Sequence, residues 1–251
     1  MEKTQGRLAT GLKVNSALDD PVAYFAAQGH TQRANDLASR KDNMGEAIGL
    51  VNAANNGIEA ITDLIQAAKA LAQSAQSAGT TGEAASLMTQ FNTMLSNIST
   101  LATDSSYKGT NLLAGTSETL VVTFDAAGDQ TLTLSGFDAE VTSGLEIVDG
   151  ANWQTTGSTN NVDASITNLD NAITELRTES KKQANNLSII TTRQNFTDKM
   201  MNTLSDGAAN LTNADMNEES ANMLMLQTRQ ALGTTSLSMA SQAAQSVLRL
   251  F

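Results

Sequence analysis

Residues 44–71 read MGEAIGLVNAANNGIEAITDLIQAAKAL, and apolar side chains recur through them at steps of four and three: Met44, Ile48, Val51 and Ile58 with Asn55 in register, then Ile61, Leu64, Ala68 and Leu71. Those steps keep side chains on one face of an α-helix, so the stretch predicts a long helix with a buried stripe. Upstream, Asp20 stands where an N-cap belongs and Pro21 occupies the first helical position, where its fixed φ is already helical and its missing N–H is not needed. Downstream, no second proline interrupts the chain, and Gly79-Thr80-Thr81-Gly82 forms the first flexible turn, which places the helix from about residue 22 to 78. A third stripe, Leu87, Phe91, Met94, Ile98 and Leu101, then returns antiparallel as far as about residue 103, giving a helical hairpin.

Composition agrees with close helix packing. Apolar residues make up 40% of the 251 positions but aromatics only 4%, so Ala, Leu, Ile and Met must fill the core, and small, strongly helix-forming side chains let backbones approach. There is no cysteine, which excludes a disulfide framework and thiolate metal sites. A formal charge of −11 repels polyanions and argues against nucleic acid or an anionic membrane as a partner. No run of about 18 apolar residues offers a membrane span, and the start MEKTQGRLATG lacks the apolar middle of a secretory signal peptide, so export would need another route.

Outside the hairpin, Leu8 and Leu12 with Thr4, Arg7 and Lys13 read as the end of a short helix broken by Asn15 and Ser16. Residues 104–160 change character, with Gly, Thr and Asp dominant and apolar residues alternating: Leu120, Val122 and Phe124, a turn over Asp125–Asp129, then Leu132 and Leu134. Alternation with period two predicts a β-hairpin, and a further short strand is expected through Leu145, Ile147 and Val148. Helical spacing resumes at Val162, Ile166, Leu169, Ile173 and Leu176 and, after a polar gap, Leu187 and Ile190, for a helix to about Asp206. Thr212 and Asp215 have capping-box spacing for a last helix carrying Leu237, Ala240, Ala244, Val247 and Phe251 at steps of three and four. That seam, with Leu248 and Leu250, reaches the final residue of an otherwise polar chain, and its burial points to other subunits.

Catalytic constellations are sparse. His30 is the single histidine and lies between Gln28 and Gln32 on a predicted helix, so nucleophile triads and zinc hydrolases, including a two-histidine zinc motif, find no residues. The pairs Asp19/Asp20 and Glu218/Glu219 sit at predicted helix N-termini, where the dipole favours negative charge, and read as structural rather than acid-base groups. Sequons at Asn97, Asn186, Asn195 and Asn210 fall in helical stretches at chance frequency, and Gly109 and Gly115 are followed by no phosphate-loop lysine. Methionines 200, 201, 216, 223, 225 and 239 read as helical core and interface packing in preference to a promiscuous groove. No enzyme, metal or cofactor is expected.

The two ends carry a family signature. Arg7-Leu8-Ala9-Thr10-Gly11-Leu12-Lys13-Val14-Asn15-Ser16-Ala17-Leu18-Asp19-Asp20 resembles the bacterial flagellin motif in which one helix ends and the outer part of the subunit begins. Tyr107-Lys108-Gly109-Thr110-Asn111-Leu112-Leu113-Ala114-Gly115 is similar to the segment leaving the second N-terminal helix, and Asn213 to Glu219 with the seam through Val247-Leu248-Arg249-Leu250-Phe251 resembles the flagellin carboxyl end. The resemblance covers nearly everything except about residues 116–160.

The resemblance implies a mainly α fold, a long antiparallel helical bundle or coiled coil of N- and C-terminal segments with a small middle region containing a β-hairpin. Residues 1–20 and 207–251 would be inner-tube coiled-coil segments, 21–115 and 161–206 the helical bundle, and 116–160 a small β-rich region too short for large outer domains. The implied function is a secreted structural subunit that polymerises into the flagellar filament for motility. Leu8, Leu12, Leu237, Ala240, Ala244, Val247, Leu248, Leu250 and Phe251 would meet neighbouring copies. Partners would be other copies, a flagellin export chaperone, the type III export apparatus, and hook-associated junction and cap proteins. Alternative readings are a hook-filament junction protein of the same family, or a surface adhesin or glycan binder with Trp153 as its stacking ring. Family members usually carry about twenty or more residues ahead of the part matching Met1, so the inner N-terminal helix reads as truncated. Gln66, Ala67, Lys69 and Leu71 lie where Toll-like receptors recognise flagellins; the arginine and glutamate of receptor-activating members are absent, which implies weak activation.

Overall fold

The computed structural model describes the backbone of residues 1–151, 153 and 159–248, and the side chains among these except residues 159, 160 and 246–248. Five helices are found among these residues: α1 (Glu2–Thr10), α2 (Pro21–Gln76), α3 (Thr81–Asp104), α4 (Thr159–Thr212) and α5 (Met216–Leu248). Two short strands, β1 (Thr119–Thr123) and β2 (Thr131–Ser135), complete the secondary structure. The fold is mainly α, as expected. The chain divides into two compact units, Asp36–Lys199 and Met1–Asn35 with Met200–Phe251, the divisions falling inside α2 and α4.

In the unit Asp36–Lys199, α4 runs antiparallel to α2, as the ion pairs Lys41 to Asp198 (2.7 Å) and Lys69 to Asp170 (2.5 Å) show. Thr80 caps α3 through its hydroxyl, which accepts from the Glu83 amide, so the expected four-residue turn ends sooner and Gly82 is helical. The buried stripe of α2 is Ile58, Ile61, Ile65, Ala68, Ala72 and Ala75, and it packs against Phe91, Leu95, Ile98 and Ala102 of α3 and Val162, Leu169, Ala172, Ile173 and Leu176 of α4. Leu64 and Leu71, expected in that stripe, are half-buried on its flank.

The polar gap in α4 is real. Glu179 and Gln183 are buried there, and the Gln183 amide donates to the Glu179 carboxylate at 2.8 Å. Beyond it a second cluster forms, in which Met44, Ala47 and Val51 of α2 and Ile190 of α4 receive Val122, Phe124 and Leu134 of the hairpin. The hairpin pairs Thr119 with Ser135 through Thr123 with Thr131, antiparallel, and Asp125 closes its turn by accepting the amides of Gly128 and Gln130. The third strand expected at residues 145–148 is not formed. Leu145 and Ile147 are buried, but their amides bond back to the carbonyls of Glu140 and Val141, and Glu146 adopts a positive φ of 50°, so the segment is a compact loop without a ladder.

Trp153 is buried beside Phe91, with ring centroids 4.6 Å apart, which removes it as a sugar-stacking platform. The segment leaving α3 acts as a latch. Asn111 donates to the carbonyls of Ala102 and Thr103 at the helix end and accepts from the Leu113 amide, while Leu113 and Ser105 pack so close to Gly57 of α2 that a Cβ there would lie 2.7 Å from Leu113 Cδ1. Lys108 and Gly109, both at positive φ, turn the chain so that Tyr107 and Lys108 reach Glu46, whose carboxyl these bonds hold below its ordinary range.

Candidate functional site

The other unit begins with α1, which ends at Gly11 because that residue takes a left-handed φ of 74° and its amide closes on the Arg7 carbonyl. From there the chain laces itself across the junction between α4 and α5. Gly11 accepts from the Ala214 amide, Leu12 bridges Asn213, and the amides of Lys13 and Val14 both donate to the Thr212 carbonyl at 2.8 and 3.2 Å. Val14 is buried, and Lys13 also donates to the Asn210 carbonyl.

Charge fixes the same clasp. Arg7 Nη1 lies 2.6 Å from Glu219 Oε1, with the Glu219 side chain 9% exposed, which docks α1 on the first turns of α5. Asp19 Oδ2 accepts from the amides of Asn15 and Ser16 and from the Ser16 hydroxyl; the amide bonds above all hold its carboxyl below the ordinary range. Asp20 accepts from the Ala23 amide and starts α2 as expected. Thus Asp19, Asp20 and Glu219 hold structure, and Glu218 receives its own helix cap. That cap is Asp215, which accepts from the amides of Asn217 and Glu218. Thr212, expected to open the last helix, is instead the final residue of α4 and donates to Ala208. The sequence signal was Asp215-x-x-Glu218, itself a capping-box spacing.

On the first turns of α5 Glu219 is buried against Arg7 of α1, and Asn222, Met223 and Leu226 are half-buried. The same stripe continues at heptad steps through Gly233, Leu237, Ala240 and Ala244, and every residue from 227 to 245 is exposed. Leu237 is 73% exposed and Leu232 65%. Leu224, Met225 and Met239 are exposed on other sides, so the exposed apolar residues of α5 are not confined to one face.

Two family profiles match the chain, the bacterial flagellin N-terminal helical region over residues 1–118 and the bacterial flagellin C-terminal helical region over residues 159–251. The chain belongs to the flagellin family. It is 28% identical over its whole length to flagellin FljO of Caulobacter vibrioides, covering 90% of that protein, and 26% identical to a flagellin of Brucella melitensis, covering 91%. Its fold is similar to that of Bacillus cereus flagellin, with a TM-score of 0.53 over 62% of this chain and 88% of that one at 21% identity. It is also similar in fold to a putative flagellar hook-associated protein from Vibrio parahaemolyticus, with a TM-score of 0.65 over 78% of this chain and all of that one at 13% identity.

Within this flagellin, the clasp and the uncovered helix lie in the two matched regions, and the β-hairpin falls in the stretch between them. Of the residues expected to meet other copies, Leu8 and Leu12 are half-buried in the clasp, whereas Leu237, Ala240 and Ala244 are exposed. The side chains of Val247 and Leu248, and residues Leu250 and Phe251 entirely, lie outside the described residues. Gln66, Ala67, Lys69 and Leu71, which the resemblance aligned with a receptor-recognition helix, are on α2 of the other unit: Gln66 and Ala67 are exposed, Leu71 is half-buried, and Lys69 is held by Asp170. His30 is half-buried beside Gly207. Among the described residues no cluster of His, Asp and Glu is arranged to hold a metal, and no helix is long and apolar enough to cross a membrane. Sequence reasoning missed Arg7 and Glu219 as partners, since an ion pair 212 residues apart in the chain leaves no local pattern.

Proposed function

We infer that this chain is the structural subunit of a flagellar filament and that α5 is the surface through which copies join. Membership of a family of structural proteins supports the first part. The observation that carries the second is the stripe of α5 that is buried or half-buried as far as Leu226 and exposed from there through Leu237 and Ala244. Where this stripe of one copy meets a different face of the next, the contact is head-to-tail, and such a contact that does not close propagates a helical fibre. Residues 1–20 and 207–251 form the inner-tube segments in this reading, 21–115 and 161–206 the surrounding bundle and 116–160 its outer β-rich part, and Leu8, Leu12, Val247, Leu248, Leu250 and Phe251 join the interface. The subunit leaves the cell through the type III export apparatus, attended by an export chaperone, and meets junction and cap proteins at the filament ends. Electron microscopy of the purified chain tests the reading: extended filaments of one protein are expected. A chain that stays monomeric at high concentration with α5 covered internally would overturn it, and one that assembles only onto preformed hook ends would assign it to the junction instead.

A further inference from the structure

The chain has ten methionines and no cysteine, so thioether sulfur is its sole redox-active sulfur. Met44 is fully buried in the hairpin cluster, whereas Met225 and Met239 are 47% and 61% exposed on α5. With Leu232 they form a stripe at successive steps of seven residues, displaced around the helix from the stripe that carries Leu237. We propose that Met225 and Met239 are modification sites, at which a hydroperoxide converts free subunits into an assembly-incompetent form. The thioether sulfur attacks one peroxide oxygen and forms an S–O bond as the O–O bond breaks; sulfur is oxidised by two electrons to the sulfoxide, and the other oxygen, reduced, leaves as water from hydrogen peroxide or as the alcohol from an organic hydroperoxide. The product carries a strong hydrogen-bond acceptor where an apolar side chain stood, and a contact between copies must bury it without a donor. The inference rests on the filament reading, because the cost arises only where neighbouring copies cover the stripe. This requires that neighbouring copies in the filament cover this stripe as well as the one carrying Leu237, so that the device acts on subunits in transit and spares those already assembled.

The test uses the full chain. Monomer is treated with hydrogen peroxide, sulfoxides are located by peptide mass spectrometry, and the critical concentration for assembly is measured by sedimentation. A rise of about tenfold or more is expected for the oxidised protein, since a buried acceptor without a donor is worth about a factor of ten. The variant Met225→Leu/Met239→Leu, given the same treatment and still carrying Met44 and Met216, is expected to stay within about twofold of its untreated value. Preformed filaments are expected to gain less sulfoxide at both positions than monomers. Oxidised wild type assembling at the untreated concentration, or a double variant inactivated as fully as wild type, overturns the proposal and leaves the filament reading standing. Untreated wild type that never assembles brings down the filament reading itself, and the proposal with it.

Discussion

Leu237→Ala isolates what the uncovered seam contributes. The substitution removes three carbons worth about 0.8 kcal/mol each on full burial, and because Leu237 is 73% exposed in the subunit, about 1.7 kcal/mol of this can be realised only between copies. That corresponds to a rise of about fifteen- to twentyfold in the critical concentration. The measurement is sedimentation across a dilution series seeded with filament fragments, which removes nucleation from the comparison. Monomer stability is the internal control. Leu237 is exposed in the subunit and alanine is at least as good a helix former, so the thermal midpoint of the monomer is expected to hold. An unchanged critical concentration would refute the assignment of this stripe to assembly, and a parallel loss of monomer stability would show that Leu237 is already covered within one copy.

Glycine substitutions separate packing from propensity. Gly57→Ala forces a Cβ to within 2.3 Å of Ser105 Oγ and is expected to cost about 1–3 kcal/mol in urea unfolding, whereas Gly29→Ala meets nothing within 4 Å and is expected to stabilise the monomer by about 0.5–1 kcal/mol. Shifts of the same sign would contradict the geometry. Asp19, whose carboxyl is held below its ordinary 3.8 by the Asn15 and Ser16 amides, stabilises the turn between α1 and α2 above that value, and the contribution is lost as pH falls through the lowered one. The amide shifts of Asn15 and Ser16 should therefore titrate with a midpoint below 3.8, and Asp19→Asn should abolish the transition. At the positions proposed to correspond to a receptor-recognition helix, Lys69 is engaged by Asp170 and Ala67 offers no polar group, so reporter cells should respond weakly to the monomer; potent signalling would refute this.

Much of the fold was legible because its signals are local. Asp20-Pro21 opens α2, and the alternation of Leu120, Val122 and Phe124 marks the hairpin. Errors arose where tertiary packing chose between local options. From Ile61 the eye follows Leu64 and Leu71, the greasier residues, but α2 lies between two helices that approach closely, and the unbroken run Ile58, Ile61, Ile65, Ala68, Ala72, Ala75 supplies the smaller surface they need. Leu145 and Ile147 alternate like a strand, yet their amides are taken by Glu140 and Val141 a few residues upstream, which sequence spacing does not reveal. For the proposed assembly surface, the spacing of Leu237, Ala240 and Ala244 could be read directly, and all three are exposed on α5. The clasp that orients it could not, because Arg7 to Glu219 and Val14 to Thr212 depend on chain ends meeting in space.

The bare stretch of α5 beyond Leu226 also bears on kinetics. Nineteen residues, 227–245, are all solvent-exposed, a condition under which helices fray. A subunit arriving at an existing tip finds a template that holds its helix straight at once. Two free subunits offer each other only fraying partners and must both pay the ordering entropy together. Growth at a tip should therefore outrun spontaneous initiation by a wide margin, so that the cell decides where a fibre starts by deciding where the first ordered tip stands.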